Sequence, residues 1–157
     1  MFFVTTLLLL SLIIYQTNAN CYSRRSGLYQ ITVGSGPDKF YELINLYNDG
    51  TLVAFDSIQG GGSGIVSNAT YGDTVGKWEC QNNKVATARA IVYIYPTGAS
   101  ANGSIAMNTY RINFRSNNKC DGTFNYNFWR LGTNPLNKKN KPIEKESRNR
   151  FVGYLIF

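Results

Sequence analysis

The feature that most constrains the fold of this chain is a regular alternation of apolar and polar side chains. In one such segment, Tyr110, Ile112 and Phe114 alternate with Arg111 and Asn113. A period of two places every second side chain on the same face of an extended strand. No segment of helical length follows a 3.6-residue period instead, so the sequence predicts an all-β fold.

Strand signals recur in eight segments, which are joined by turn-forming residues. Asn48-Asp49-Gly50 predicts a hairpin turn, because Asn and Gly tolerate positive φ. We expect a single antiparallel eight-stranded up-and-down barrel, since closure removes the exposed edges of an open sheet. A two-sheet β-sandwich is the alternative. The predicted strands are Leu28–Val33, Phe40–Leu46, Thr51–Ser57, Val75–Gln81, Val85–Tyr95, Ser104–Arg115, Thr123–Arg130 and Arg150–Phe157.

Residues 1–19 are predicted to be a secretory signal peptide. Phe2 to Tyr15 is a nearly unbroken apolar run, shorter than the roughly 20 residues of a spanning helix. Thr17-Asn18-Ala19 supplies small and polar residues for cleavage after Ala19. We therefore expect a secreted, extracellular protein without a membrane span, in which residues 20–157 form one β-barrel domain.

The chain contains no histidine, which removes the commonest general base and the commonest metal ligand. Ser-His-Asp and Cys-His mechanisms are therefore excluded within one chain, and we expect neither a metal site nor a cofactor. The net charge is +7, but no nucleic-acid-binding motif is present. In a secreted protein such a charge favours solubility or an anionic surface or glycan as partner, with no role for nucleic acid.

In a meander, successive connections alternate between the two ends of the barrel. The long connections around Gly60–Gly64, Pro96–Gly103 and Leu131–Asn149 then share one end, which we call the mouth, and the short turns share the other, the closed end. The third of these connections is a basic loop, which would either contact an anionic partner or be solvated. The residues of this loop that would make such a contact are Lys138, Lys139, Lys141 and Arg148.

The three cysteines are all expected near the closed end. An oxidising compartment favours one disulfide, and Cys80–Cys120 is the preferred pairing because it staples four consecutive strands. Cys21–Cys120 is the alternative. The remaining cysteine would form either an intermolecular disulfide or a buried free thiol.

Two sequons predict N-glycosylation at the mouth. Asn68 is followed by Ala and Thr, and Asn102 is followed by Gly and Ser. Both asparagines fall in connections at that end, where an attached glycan would be tolerated.

The hairpin register predicts which side chains fill the lumen. A three-residue turn at Asn82-Asn83-Lys84 sets Trp78 opposite Ala88 and Cys80 opposite Ala86, so that a large indole packs over small residues. The alternation also turns Asn108, Tyr110 and Tyr126 inward and Trp129 outward. A lumen left partly open would bind a small molecule, whereas a filled lumen would only pack. The candidate ligand-binding residues are Trp78, Asn108, Tyr110 and Tyr126.

Carboxylates and outward apolar residues offer further candidates. Glu42, Asp56, Asp73 and Glu79 lie on or near strands, but the strand pattern brings no two of them together at the mouth, so no catalytic residue is identified. The outward residues Ile91, Tyr93 and Tyr95 form an apolar row that would suit a homo-oligomer.

Several short motifs resemble small secreted β-barrels of the calycin-like and allene-oxide-cyclase type. The resemblance covers about residues 27–130. Gly76-Lys77-Trp78 departs from the lipocalin pattern, which carries Gly-x-Trp on the first strand. The resemblance implies a lumen that holds or guides an apolar molecule, and it carries over no catalytic residue. Its motifs are Asn48-Asp49-Gly50-Thr51-Leu52, Gly76-Lys77-Trp78-Glu79, Val85-Ala86-Thr87-Ala88, Tyr110-Arg111-Ile112 and the turn at Gly122.

Three functions follow as expectations. The first is a binding module that takes an apolar or amphipathic small molecule into its lumen. The second is a cyclase-like or dirigent-like enzyme that steers a reactive intermediate by confinement, with Asn108, Tyr110 and Tyr126 as its polar groups. The third is a structural or effector protein that acts through its outer surface or its basic loop.

Overall fold

A computed structural model describes residues 21–36, 39–59, 70–96, 102–143 and 147–157. Eight antiparallel strands form one closed barrel, in which each strand pairs with the next and the last pairs with the first. This confirms the predicted up-and-down barrel over the sandwich. The strands are β1 Gly27–Val33, β2 Phe40–Leu46, β3 Thr51–Asp56, β4 Thr74–Asn82, β5 Val85–Ile94, β6 Ser104–Phe114, β7 Lys119–Trp129 and β8 Ser147–Leu155.

Two strands are longer at their start than the sequence predicted. β7 begins at Lys119 and β8 at Ser147, because each extends its pairing with its neighbour into polar residues. The predicted signal peptide, residues 1–19, and the glycine-rich segment Gly60–Gly64 lie outside the described residues. Over the described part of the chain, no helix is long and apolar enough to cross a membrane.

The β4–β5 hairpin has the pairing that the sequence predicted, since Trp78 is paired with Ala88 and Cys80 with Ala86. The predicted three-residue turn is wrong: Asn82 extends β4 and pairs with Val85 after a bulge that follows Cys80, so Asn83 and Lys84 alone form the turn. The Trp78 side chain is 1% exposed, so the indole lies inside the barrel. Small alanines on β5 leave the volume that this indole fills.

A hydrophobic core occupies the closed half of the lumen. Trp78 lies in this core, where its Nε1 donates a 2.8 Å hydrogen bond to the carbonyl of Tyr47. The ring of Tyr22 meets the indole edge-on, with the ring centroids 4.7 Å apart. Every strand contributes inward side chains to this core, among them Tyr29, Ile31, Ile44, Leu46, Leu52, Ala86, Ala88, Ile112, Phe114, Cys120 and Phe151.

A helical segment at residues 21–25 lies across the closed end. The guanidinium of Arg25 donates from Nε to the carbonyl of Asn83 at 3.1 Å and from Nη1 to the carbonyl of Ser116 at 2.8 Å. These bonds tie the segment to two of the turns that close the barrel. The same segment carries Cys21 to the end of β4, where it forms a disulfide with Cys80.

The predicted pairing of Cys80 with Cys120 is therefore wrong, and so is the alternative of Cys21 with Cys120. Cys120 is a free cysteine that points into the core between β6 and β8 and is 1% exposed. Burial, helped by the nearby charge of Asp121, raises the pKa of its thiol to about 12. Alternation alone could not predict the pairing, because the position of the segment 21–25 depends on capping contacts rather than on strand order.

The basic loop packs against the outside of the barrel. Trp129 stands on the outward face of β7 but is only 4% exposed, because the loop covers it and its Nε1 lies 3.5 Å from the carbonyl of Asn140. The amide of Ile143 also donates to the carbonyl of Phe128 at 2.8 Å. Lys138, Lys139 and Lys141 are exposed on this loop. Arg148 was expected in the loop but belongs to β8, where it pairs with Asn125.

Candidate functional site

The mouth half of the lumen contains a partly open cavity of about 50 Å³. A buried water occupies at least about 10–15 Å³ on this measure, so the cavity has room for a few waters or for one chemical group of a ligand. Its walls are mostly apolar, and polar side chains are few. The lining residues are Phe40, Asp56, Ile58, Tyr71, Val92, Ile94, Ala106, Asn108, Phe124, Tyr126 and Phe128.

The cavity takes in two of the four residues that the sequence proposed for ligand binding. Asn108 and Tyr126 line it, because both are inward residues in the mouth half of β6 and β7. Tyr110 and Trp78 do not line it. Tyr110 is one inward position further from the mouth, and Trp78 fills the closed-end core. All four residues thus face inward as predicted, but Trp78 and Tyr110 belong to the packed core rather than to the cavity lining.

Two carboxyl groups meet beside this cavity. Glu42 on β2 and Asp56 on β3 are directly opposed partners in the ladder, and both occupy inward positions. Glu42 is 1% exposed, and Asp56 lines the cavity. These two residues were not predicted to meet at the mouth. The signal was present, since counting outward from the Asn48-Asp49-Gly50 turn sets residue 42 against residue 56.

Tyrosine hydroxyls hold both carboxyl groups. The hydroxyl of Tyr110 donates a 2.6 Å hydrogen bond to Oε1 of Glu42, and Tyr71 is hydrogen-bonded to Asp56. Tyr110 is in turn hydrogen-bonded to the side chain of Asn108. These five residues form one polar cluster, of which Asp56, Tyr71 and Asn108 line the cavity.

Burial governs the protonation of the cluster. Desolvation, reinforced by the neighbouring charge of Asp56, raises the pKa of Glu42 well above its usual range despite the bond from Tyr110. Desolvation also raises the pKa of Asp56 to about 6, against the opposing effect of its bond to Tyr71. A carboxyl that titrates near 6 can gain or lose a proton close to neutral pH, which is the requirement for a general acid or base.

Unsatisfied oxygens mark the same place. Oε2 of Glu42 and Oδ1 of Asp56 are buried and have no hydrogen-bond partner in the described ranges. Buried polar atoms in native proteins nearly always have a hydrogen-bond partner, so these two oxygens without one require an explanation. Within those same ranges, no group of three or more His, Cys, Asp or Glu side chains is arranged to hold a metal ion.

The two predicted glycosylation sites differ in what can be described. Asn102 is exposed in the connection between β5 and β6, at the mouth. Asn68 lies outside the described residues.

Comparisons with protein families, with curated proteins and with solved structures find no match for this chain. A barrel fold hosts many functions, so the function has to be argued from the cavity and its polar cluster.

Proposed function

We propose that the protein binds a small amphipathic molecule in the mouth half of the barrel. The polar end of this ligand lies against Asp56 and Asn108, and its apolar part runs along the aromatic and aliphatic walls toward the mouth. One observation carries the proposal: an apolar cavity ends on convergent polar side chains. Ligand sites combine such walls with a small number of orienting polar groups.

The volume of the cavity limits how the ligand is held. About 50 Å³ accommodates the head of a small molecule rather than all of it. The rest of the ligand would therefore pass between the loops at the mouth. Affinity would come mainly from apolar burial, at about 25 cal/mol per Å² of surface removed from water.

A dye-binding experiment tests this proposal. A fluorescent hydrophobic probe is titrated into the wild-type protein and into Ala106→Leu, which fills the cavity from its β6 wall. We expect the variant to lose about tenfold or more in affinity for the probe. The matched control is Thr109→Leu, which adds a similar side chain on the outward face of the same strand. Equal probe binding by all three proteins would overturn the proposal.

A second candidate is an enzyme that acts by confinement, and the buried pair of Glu42 and Asp56 favours it. Asp56 is the cavity-lining carboxyl, and its pKa of about 6 suits proton transfer to a bound intermediate. To test it, a ligand extracted from the purified protein is incubated with fresh protein and analysed by NMR. Conversion by the wild-type protein but not by Asp56→Asn supports the enzyme. If the wild-type protein leaves the ligand unchanged, the enzyme hypothesis is contradicted and the binding function remains.

We also propose that the protein is secreted and glycosylated. The Cys21–Cys80 disulfide supports this, because disulfides persist in oxidising compartments. Expression in eukaryotic cells should yield protein in the medium that begins after Ala19 and shifts in mass on enzymatic deglycosylation. Asn102→Gln should lose one glycan, and Asn68→Gln the other. Retention of residues 1–19 in the product would contradict the signal peptide.

A further inference from the structure

We infer that the ligand of this cavity carries a protonated amine, which binds at Asp56 and supplies the positive charge that the buried carboxyl pair lacks. This inference rests on the proposed function, since it specifies the chemical class of the amphipathic ligand.

The charges around the cavity are of one sign only. Titratable groups face Asp56 from three sides: Glu42 on β2, Tyr71 before β4 and Tyr110 on β6. Tyr126 on β7 adds another hydroxyl, and β5 contributes only apolar side chains to the lining. No Lys or Arg is among the described lining residues, although the chain carries 16 of them.

The cationic side chains of the described residues are hydrogen-bonded or exposed elsewhere. Within the described ranges the ion pair joins Arg115 to Asp121 beside the closed end. Arg25 donates hydrogen bonds to carbonyl groups of the closed-end turns. The carboxyls of Glu42 and Asp56 therefore have no cationic side chain to neutralise them among the residues described. A buried charge without a partner costs several kcal/mol or forces the group to stay protonated.

The hydrogen-bonding capacity of the cluster favours the same class of ligand. Oε2 of Glu42 and Oδ1 of Asp56 are acceptors without a described donor. An ammonium group supplies three donors and no acceptor. An alcohol supplies one donor and no charge, and a carboxylate would add a further negative charge beside the carboxyl pair. Among simple polar heads, the ammonium group matches both the charge and the acceptors of this site.

Binding of a cation also predicts proton release. A positive charge next to Asp56 favours its ionised form and lowers the pKa of that carboxyl from about 6. An alkylamine titrates near pH 10 and stays charged from pH 5 to 8. Amine affinity should therefore rise as pH increases through about 6. A neutral ligand of the same shape would lose affinity or stay unchanged over that range.

The experiment compares three ligands with the same alkyl chain: octylamine, octanol and octanoate. Each displaces the fluorescent probe from the secreted protein at pH 8 and at pH 5. We expect octylamine to bind about tenfold or more tightly than octanol at pH 8. This preference should shrink at pH 5, and octanoate should bind most weakly at pH 8.

Two variants test whether Asp56 causes the preference for the amine over the alcohol. Asp56→Asn should bring the ratio of amine to alcohol affinity at pH 8 close to one. Asp73→Asn, which removes an exposed carboxylate near the mouth, should keep the wild-type ratio. If Asp56→Asn does not fold, calorimetry of the wild-type protein in two buffers of different ionisation enthalpy measures the proton release directly.

The outcomes separate this inference from the proposed function. If octanol or octanoate displaces the probe as well as octylamine at pH 8, the ligand class is wrong while lumen binding stands. Amine binding without proton release in calorimetry near pH 6 would also overturn the assignment to Asp56. If the probe does not bind at all, the proposed function fails, and the amine inference fails with it.

Discussion

The hydroxyl of Tyr110 donates a 2.6 Å hydrogen bond to Oε1 of Glu42, although 68 residues separate them in the sequence. Glu42 is on β2 and Tyr110 is on β6, which stand four places apart in the closed order of eight strands. The bond therefore joins opposite walls of the barrel. Both side chains are fully buried, and the bond lies between the closed-end core and the cavity.

Tyr110→Phe should destabilise the barrel by removing this cross-lumen bond. The buried Glu42 carboxyl would lose its described donor, which costs about 2 kcal/mol in the free energy of unfolding. The loss should be larger at pH 8 than at pH 5, because an ionised carboxyl suffers more from a missing donor. Urea denaturation at both pH values measures it.

The control for this variant is Tyr93→Phe, since Tyr93 is 56% exposed on the outward face of β5. Its free energy of unfolding should stay within about 0.5 kcal/mol of wild type. A Tyr110→Phe protein as stable as this control would mean that the bond does not hold the two walls together.

The stability of the wild-type protein should fall as pH rises from about 4 to 8. The pKa values of Glu42 and Asp56 are raised in the folded state, so both carboxyls bind protons on folding. Their contribution is fully present below the unfolded pKa of about 4 and is lost as pH rises through the folded values. For Asp56, with a folded pKa of about 6, this amounts to about 3 kcal/mol at 1.36 kcal/mol per unit.

Glu42→Gln should therefore flatten the pH profile and raise stability at pH 8 by about 1–3 kcal/mol. The amide keeps an acceptor for Tyr110 but cannot ionise. Chemical denaturation across pH 4–8 checks the slope, and Glu79→Gln on the outward face of β4 is the matched control. A Glu42→Gln profile parallel to that of the wild type would rule out ionisation of Glu42 as the cause.

Strand alternation and turn chemistry were enough to predict the barrel. The inward rows follow from a period of two, and the Asn48-Asp49-Gly50 turn fixes its hairpin because Gly50 adopts a φ of +81°. Trp78 could be placed opposite Ala88 because large and small side chains complement one another across a ladder. These are local relationships between neighbouring strands, which a single sequence encodes directly.

Contacts across the lumen could not be predicted from strand alternation and turn residues. The bond from Tyr110 to Glu42 depends on how far the strands are staggered around the barrel, which no pair of neighbours determines. The covering of Trp129 depends on the path of a loop, and loops lack a repeating pattern. The division of the lumen into core and cavity follows from both effects, so the sequence predicted four lining residues and the cavity contains two.

The cysteines should behave differently towards a thiol reagent. Peptide mapping of the purified protein should recover Cys21 linked to Cys80, with one free thiol at Cys120. That thiol should react with a maleimide only after unfolding, because it is buried and its pKa is raised to about 12. Rapid labelling of the native protein would contradict its place in the core.

Removing the disulfide with Cys21→Ser and Cys80→Ser together should cost about 2–5 kcal/mol of stability. The segment 21–25 would then be held at the closed end by the hydrogen bonds of Arg25 and by the contact of Tyr22 with the indole of Trp78. Cys120→Ala is the comparison, with an expected loss of about 1 kcal/mol from a small cavity. A double variant as stable as Cys120→Ala would show that the bridge contributes little.

The two tryptophans should contribute unequally to stability. Trp78 packs over alanines in the closed-end core and donates a 2.8 Å bond, whereas Trp129 is covered by one loop and its Nε1 lies 3.5 Å from its acceptor. Trp78→Phe should cost about 2–3 kcal/mol, since it leaves a void and removes one of the two donors to the carbonyl of Tyr47, the other being the amide of Gly50. Trp129→Phe should cost about 1 kcal/mol or less, because the loop can move to follow the smaller ring.

Thermal and urea unfolding followed by circular dichroism compare the two variants without relying on tryptophan emission. The single tryptophan left in each variant then reports on its own surroundings, and both should emit as buried indoles before unfolding. Equal losses of stability would mean that the outer loop holds the barrel as firmly as its closed-end core does.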